Sequence, residues 1–352
     1  MKGRRRSSPG NKRRTKKILL FAALCILASA GIFFIYRILG PNTQPFSDHK
    51  YFYIRTGSTY SDVLKALEDQ GIVRHIKSFE WVAGRTDYPH HVRAGRYEIH
   101  AGMSSFALAR LLRSGRQSPV NLVINKLRTK QDFIRMVSLH LEADSTVMDR
   151  LLHDDVYLRQ FGLDSNTALC AVIPNTYEFF WNTTAQDVFE RLEKEKEKFW
   201  QGKRNAEADS LGLTRQQVYI LASIVEEETN RNSEKPLIAS VYLNRFRSGM
   251  RLSADPTVKF AIGDFALRRI TGQQTSFDSP YNTYRYAGLP PGPICTPSIK
   301  TIDAVLHTQQ TDYLYFCARP DFSGYHVFAA TYAEHLQNAR RYQKALDSLN
   351  IH

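Results

Sequence analysis

The sequence predicts an α+β protein in three parts: a single N-terminal transmembrane helix, a small α/β module, and a larger mixed α+β domain. Three observations carry this. Residues 18–36 form an uncharged apolar run of about the length that spans a bilayer. Residues 50–125 repeat a strand–turn–helix pattern. Residues 213–352 alternate capped helical stretches with proline-rich loops and two short β-patterned segments. The body after the apolar run is long enough to bury a sizeable core, and in length suits two domains.

The first 17 residues are a basic tail carrying Lys2, Arg4, Arg5, Arg6, Lys12, Arg13, Arg14, Lys16 and Lys17, with no acidic residue. A basic flank before an apolar run places the N-terminus in the cytoplasm and the remainder outside. The rival is a cleaved signal peptide, for which Ala28-Ser29-Ala30 offers a cleavage-site pattern. The run continues through Ile32 to Tyr36, which a cleaved signal does not need, so an uncleaved anchor in the inner membrane is the favoured expectation. Removing the nine basic side chains of the tail takes the formal charge from +14 to +5. The high pI is therefore a topology signal and gives no support to nucleic acid as a partner. Cys25, Cys170, Cys295 and Cys317 show no metal-ligand spacing, and a Cys295–Cys317 disulfide and unpaired roles stay equally open.

Residues 37–49, with Gly40-Pro41 and Pro45, read as a linker. In 50–125, Tyr53 to Thr59 precedes a helical pattern, and 45 positions later Glu98 to Ser104 does the same. Ile54 pairs with Ile99, Gly57 with Gly102, Val63 with Leu108, and Leu67 with Leu112. These units resemble LysM modules, small folds that bind N-acetylglucosamine polymers. A plain α+β spacer explains the pattern too, since a fold likeness does not carry function. Residues 126–212 read as a helical connecting region. The charged stretch Glu190 to Lys198 is expected to be a solvated face, and the aromatic-rich segment 173–181 an interrupting loop.

The catalytic candidate lies on the next helix. Thr214 and Gln217 stand in capping-box spacing. At roughly 100° per residue, Val218, Leu221, Ala222 and Val225 make one apolar stripe, and Glu228 continues it. Glu227 points away from that stripe and Glu226 sits at its edge. Of three adjacent glutamates, Glu228 is the one expected to lose water, which raises a carboxyl pKa and suits it to general acid catalysis. A last helical turn emerging into solvent is the bland alternative. A second helix is expected over 233–248, capped by Ser233 and stopped by Gly249. Two loops follow, 250–258 and 279–294, the latter stiffened by proline. A helix over 298–308, strands at 313–317 and around His326, and a closing helix opened by Thr331 and Glu334 complete the chain.

Leu221-Ala-Ser-Ile-Val-Glu-Glu-Glu-Thr229, Val241-Tyr-Leu-Asn-Arg245, Ala254-Asp-Pro-Thr-Val258, Tyr281-Asn-Thr-Tyr284, Gly288-Leu-Pro-Pro-Gly292, Tyr313-Leu-Tyr-Phe316 and Gly324-Tyr-His-Val-Phe328 through His335 occur in that order. Together they resemble the MltG (YceG-like) family of membrane-anchored endolytic murein transglycosylases. The likeness is strong from about Gln216 onward and collinear back to Lys50. Two departures are Thr296-Pro-Ser298, where the family has Asn-Pro-Gly, and Ile173-Pro-Asn-Thr-Tyr177, where it has Phe-Pro-Asp-Thr-Tyr.

The resemblance implies that Glu228 is catalytic, acting first as acid and then as base. The implied reaction cleaves the β-1,4 bond between N-acetylmuramic acid and N-acetylglucosamine and leaves a 1,6-anhydro end. It also implies peptidoglycan strands as substrate and glycan polymerases as neighbours. No cofactor or metal is expected, because the sequence holds no Walker loop, GxGxxG or HExxH. Asn244, Asp255, Thr257, Asn282, Thr283, Tyr284, His326 and Glu226 are the candidate substrate contacts, each with local hydrogen bonding as its alternative role. Two rival functions stay open. One is a muramidase-type hydrolase using Asp255 as second carboxylate; the other is a non-catalytic glycan-binding envelope protein.

Overall fold

The structure is a computed structural model that describes residues 9–267 and 269–348. Lys2, Arg4, Arg5 and Arg6 of the basic tail lie outside the described residues. The chain divides into two compact units, one of residues up to 119 with 180–182, the other of 120–179 with 183 onward.

The first unit opens with α1 (Pro9–Leu39), whose segment Lys16–Leu39 is long and apolar enough to cross a membrane. Strand β1 (His49–Ile54) leads to α2 (Tyr60–Asp69) and α3 (Ile76–Arg85), and strand β2 (Gly95–His100) to α4 (Ser105–Ser114). The strands pair antiparallel, from His49 opposite His100 to Ile54 opposite Gly95. The duplication read from the sequence has a structural counterpart. Each strand turns through a glycine with positive φ, +82° at Gly57 and +75° at Gly102, a conformation glycine adopts without Cβ strain. Each following helix is N-capped, by Thr59 and by Ser104. Phe52, Ile54, Val63, Leu67, Phe79, Ile99, Leu108 and Leu112 bury together as one core.

The segment expected as a linker is instead tied into this unit. Asn42 and Thr43 are buried, and Asn42 Nδ2 donates to His75 O at 3.1 Å and to Ser105 Oγ at 2.9 Å. The physical reason is that Pro41 and Thr43 make strand-like bridges to Ser104 and Val73, so their backbone groups are satisfied by protein and not by water.

In the second unit, β3 (Val120–Val123) is followed by α5 (Lys130–His140), α6 (Ser145–His153), α7 (Asp155–Leu158) and β4 (Thr176–Phe179). The aromatic segment expected as a loop therefore holds a strand, paired antiparallel with β3. Its alternation sends Tyr177 and Phe179 inward. Helices α8 (Ala185–Trp200) and α9 (Lys203–Leu211) come next. The face expected to be solvated is not uniformly so: Glu193 and Lys196 are buried and paired at 2.8 Å.

The central element is α10 (Arg215–Glu228), with the Thr214–Gln217 capping box in place. Every residue from Val218 to Val225 is buried, so the helix sits inside the unit and is wrapped on all sides. Around it lie α11 (Lys235–Arg247), α12 (Asp255–Ile262), the short α13 (Gly272–Thr275) and α14 (Ile299–Leu306). The α11 cap is Glu234, not Ser233, and Glu234 turns its carboxylate to His326 instead of capping. The Asp255-Pro-Thr-Val258 stretch, expected as loop, begins α12; proline is tolerated in a first helical turn because its missing N–H is unpaired there anyway. Strands β5 (Tyr315–Ala318) and β6 (His326–Ala329) pair antiparallel, and α15 (Tyr332–Ser348) closes the described chain. Gly292 of the proline-rich loop passes so close to Asn166 that a Cβ would lie 2.1 Å from the Asn166 carbonyl oxygen. All four cysteines are unpaired.

Candidate active site

Three glutamates end α10, and the structure gives each different company. Glu226 receives Lys235 Nζ at 3.0 Å, Ser298 Oγ at 3.0 Å and the Thr301 hydroxyl. Ser298, which follows Thr296-Pro297, thus supplies one of the two hydroxyl donors to Glu226. Glu227, whose side chain is only 15% exposed, is held by Lys126 at 3.0 Å and Arg128 at 2.9 Å. Burial alone pushes the Glu227 carboxyl up, but these two cationic donors more than offset it and hold it below the usual range. Glu228 has no cationic partner among the described residues. Its Oε1 accepts from the Tyr242 hydroxyl. Burial lifts its pKa to about 7; the Tyr242 bond opposes this, and the negative charge of Asp255 adds to it.

Glu228 opens onto a cavity of about 470 Å³. From α11 come Tyr242 and Arg245; from the turn into α12 come Leu252, Ser253 and Asp255, with Tyr284 beside them. Tyr315, Phe316, Tyr332 and His335 complete the lining. Arg245 ties two parts of the wall together, donating from Nε to Leu314 O at 2.6 Å and from Nη1 to Leu252 O at 2.8 Å. Ser253 stands at φ +51°, unusual for a residue with a side chain and costing on the order of 1 kcal/mol. Its neighbours fix it there: Ser253 N donates to Thr283 O at 3.1 Å, and Ala254 N to Thr283 Oγ1 at 3.0 Å. His335 stacks on Tyr315 with ring centroids 5.3 Å apart. Its Nδ1 is buried without a hydrogen-bond partner, and burial, with Arg245 nearby, holds its pKa below the usual histidine value.

This arrangement supports proton transfer. A carboxyl that titrates near neutrality can donate a proton and, once ionised, take one back. Tyr242 occupies Oε1, so the proton belongs on Oε2.

The YceG-like family profile matches residues 52–341. The chain belongs to the YceG-like family. Similar proteins include the endolytic murein transglycosylase of Bacillus subtilis, 25% identical over 308 residues, an alignment covering 82% of this chain and 83% of that protein. The endolytic murein transglycosylase of Streptococcus pneumoniae strain D39 is 25% identical over 335 residues; the match covers 86% of this chain and 60% of that longer protein. A crystal structure of a YceG-like protein from Listeria monocytogenes superposes with a TM-score of 0.53 at 26% identity, covering 82% of this chain and 98% of that one.

In this YceG-like chain, two of the eight expected contact residues line the Glu228 cavity. Asp255 and Tyr284 face it as a pair, with Tyr284 OH donating to Asp255 Oδ1 at 2.6 Å. The others make bonds that shape the walls. Thr257 and Thr283 are buried and 2.9 Å apart through their hydroxyls. Asn282 Nδ2 donates to Thr275 O and Phe277 O, and its Oδ1 accepts from Tyr284 N. Asn244 Nδ2 holds Thr311 O and Tyr313 O. His326 faces Glu234, and Glu226 faces Lys235.

Sequence reasoning did not single out Tyr242, Arg245, Tyr315, Phe316 or His335, although all stand inside quoted YceG-like motifs. A signal existed for two of them. Tyr242 and Arg245 lie three apart and share a helix face, while Asn244 does not share it with Tyr242.

Proposed function

We propose that this chain is a membrane-anchored endolytic lytic transglycosylase acting on peptidoglycan, with Glu228 as its acid and base. The observation that carries this reading is one carboxyl, lifted to about 7, at the wall of an open cavity in a YceG-like chain. The names of the similar proteins support the substrate class.

In the proposed reaction the Glu228 Oε2 proton passes to the oxygen joining N-acetylmuramic acid to N-acetylglucosamine as the C1–O bond breaks. The resulting carboxylate then takes the proton of the muramic acid C6 hydroxyl while that oxygen bonds to C1. A 1,6-anhydro end forms and no water is consumed. One carboxyl suffices because the substrate supplies its own nucleophile at high effective concentration, whereas a hydrolase needs two. Asp255 then serves by its charge, which adds to burial in raising the Glu228 pKa, while Tyr284 holds Asp255 in place.

In this reading α1 anchors the chain in the inner membrane, N-terminus inside and the body outside. The catalytic part is residues 213–352, and the duplicated strand–turn–helix unit serves as a LysM-like glycan contact. Glycan polymerases are the neighbours such an enzyme would meet.

The test is a digest of purified peptidoglycan by the full chain, read by mass spectrometry, with Glu228→Gln beside it. Anhydromuramyl ends from the wild type alone support the proposal. Reducing ends would move the assignment to a hydrolase using Asp255, and binding without cleavage to a glycan-binding protein.

A further inference from the structure

The junction between α1 and the first unit leaves no slack. Gly40 N bonds back to Tyr36 O at 2.8 Å, and two residues later Asn42 is already clamped between His75, at the start of α3, and Ser105, at the start of α4. From there α3 turns back along α1. Trp81 on α3 meets Phe34 on α1 edge-on, with ring centroids 5.1 Å apart. Phe34 lies five residues before Leu39, the last residue of α1, so Trp81 sits about 7 Å back along the apolar helix from its end. One turn further along α3, the Arg85 guanidinium stacks over the Trp81 ring at 4.7 Å. Trp81 is nevertheless 40% exposed, and Phe106, beside the clamped Ser105, is 44% exposed. The cations of the two helices are Lys77, Arg85, Arg110 and Arg113, against the single acidic residue Glu80.

An exposed tryptophan beside the last turns of an apolar span, with Arg85 stacked on its ring and Lys77 one turn before it on the same helix, is the chemistry of the membrane–water interface. Ile18 to Phe34 is about 25 Å of helix, near the lower limit for a span. A hydrocarbon core that began at Ile18 would end near the Phe34–Trp81 contact. We propose that the first unit sits on the bilayer, with Trp81 and Phe106 in the interfacial layer and Lys77, Arg85 and Arg110 on anionic phospholipid headgroups. The proposal rests on the anchor reading of α1. It makes the unit a base fixed to the membrane surface and not a module held off on a tether.

The test uses the full chain in vesicles of anionic phospholipid brominated on the acyl chain near the headgroup. Tryptophan fluorescence is compared for wild type, Trp81→Phe, and Lys77→Glu with Arg85→Glu. The expected result is quenching of the wild type, most of it lost in Trp81→Phe. The double charge reversal should weaken quenching in anionic vesicles more than in zwitterionic ones. Carbonate-resistant flotation is measured on the same samples. Flotation with no Trp81-dependent quenching would overturn the interfacial placement and leave the anchor intact; loss of flotation would overturn the anchor and the placement together. Trp181 and Trp200 remain in Trp81→Phe, so their emission reports whether that variant is folded.

Discussion

The two sides of the α10 terminus treat the same side chain in opposite ways. On one side Glu226 and Glu227 are drawn out of water and met by Lys235, Lys126 and Arg128. On the other, Glu228 is drawn out of water and met by a tyrosine hydroxyl and by the field of Asp255. Burial is common to all three. What separates Glu227, held below the usual range, from Glu228, lifted to about 7, is the charge of the partner. Burial alone thus does not decide where a carboxyl titrates; the charge of what meets it does.

That contrast can be broken from either side. The largest effect is expected from Glu228→Gln, which should lower cleavage by on the order of 10²–10⁴-fold in the mass-spectrometric digest while preserving the fold. The same variant should be more thermally stable than wild type at alkaline pH. The folded carboxyl is lifted from its ordinary 4.5 to about 7, so ionising it costs the folded state more than the unfolded one. The advantage of glutamine should be absent below pH 4.5, grow between 4.5 and 7, and level off above. Melting temperatures across that range, with no such trend, would contradict the burial of an unpaired carboxylate.

Next in size is Lys235→Met. Lys235 is 5% exposed, and removing it leaves Glu226 without its cation, a loss of about 3–5 kcal/mol, read by denaturant unfolding. Two substitutions then sharpen the comparison by moving the alkaline limb of the activity profile in opposite directions. Tyr242→Phe removes the bond that favours the carboxylate, so the Glu228 pKa rises and activity persists to higher pH. Asp255→Asn removes the nearby negative charge, so the pKa falls and activity is lost at lower pH. Shifts in the same direction would show that Glu228 does not set the limb. Smallest is Arg128→Met, about 1 kcal/mol by unfolding, since Arg128 is 37% exposed and Lys126 stays on Glu227.

Much of the fold was legible because local signals agreed with the packing: the capping boxes at Thr214 and Thr331, the paired glycine turns at Gly57 and Gly102, and the single apolar N-terminal helix. The readings that differ share a cause, namely long-range partners invisible to local pattern. Residues 41–43 look like linker until Ser104 and Val73 pair with them, and 176–179 look like loop until β3 lies alongside. The helical wheel gave Glu228 its place but put Glu227 in water, because it treated α10 as lying on a surface when the helix is enclosed. The motifs supply most of the residues that line the cavity. Which residue of a motif faces inward depends on the neighbouring element: Asn244 turns to hold the Thr311 loop, and Tyr242 turns to Glu228.

The most direct test is an infrared titration of the carboxyl itself, as wild-type minus Glu228→Gln difference spectra across pH. The account predicts a protonated carboxyl band that disappears with a midpoint near 7, reached at higher pH in Tyr242→Phe. A band lost in the ordinary carboxylate range, near 4, would mean that Glu228 is already ionised at neutral pH and cannot be the proton donor.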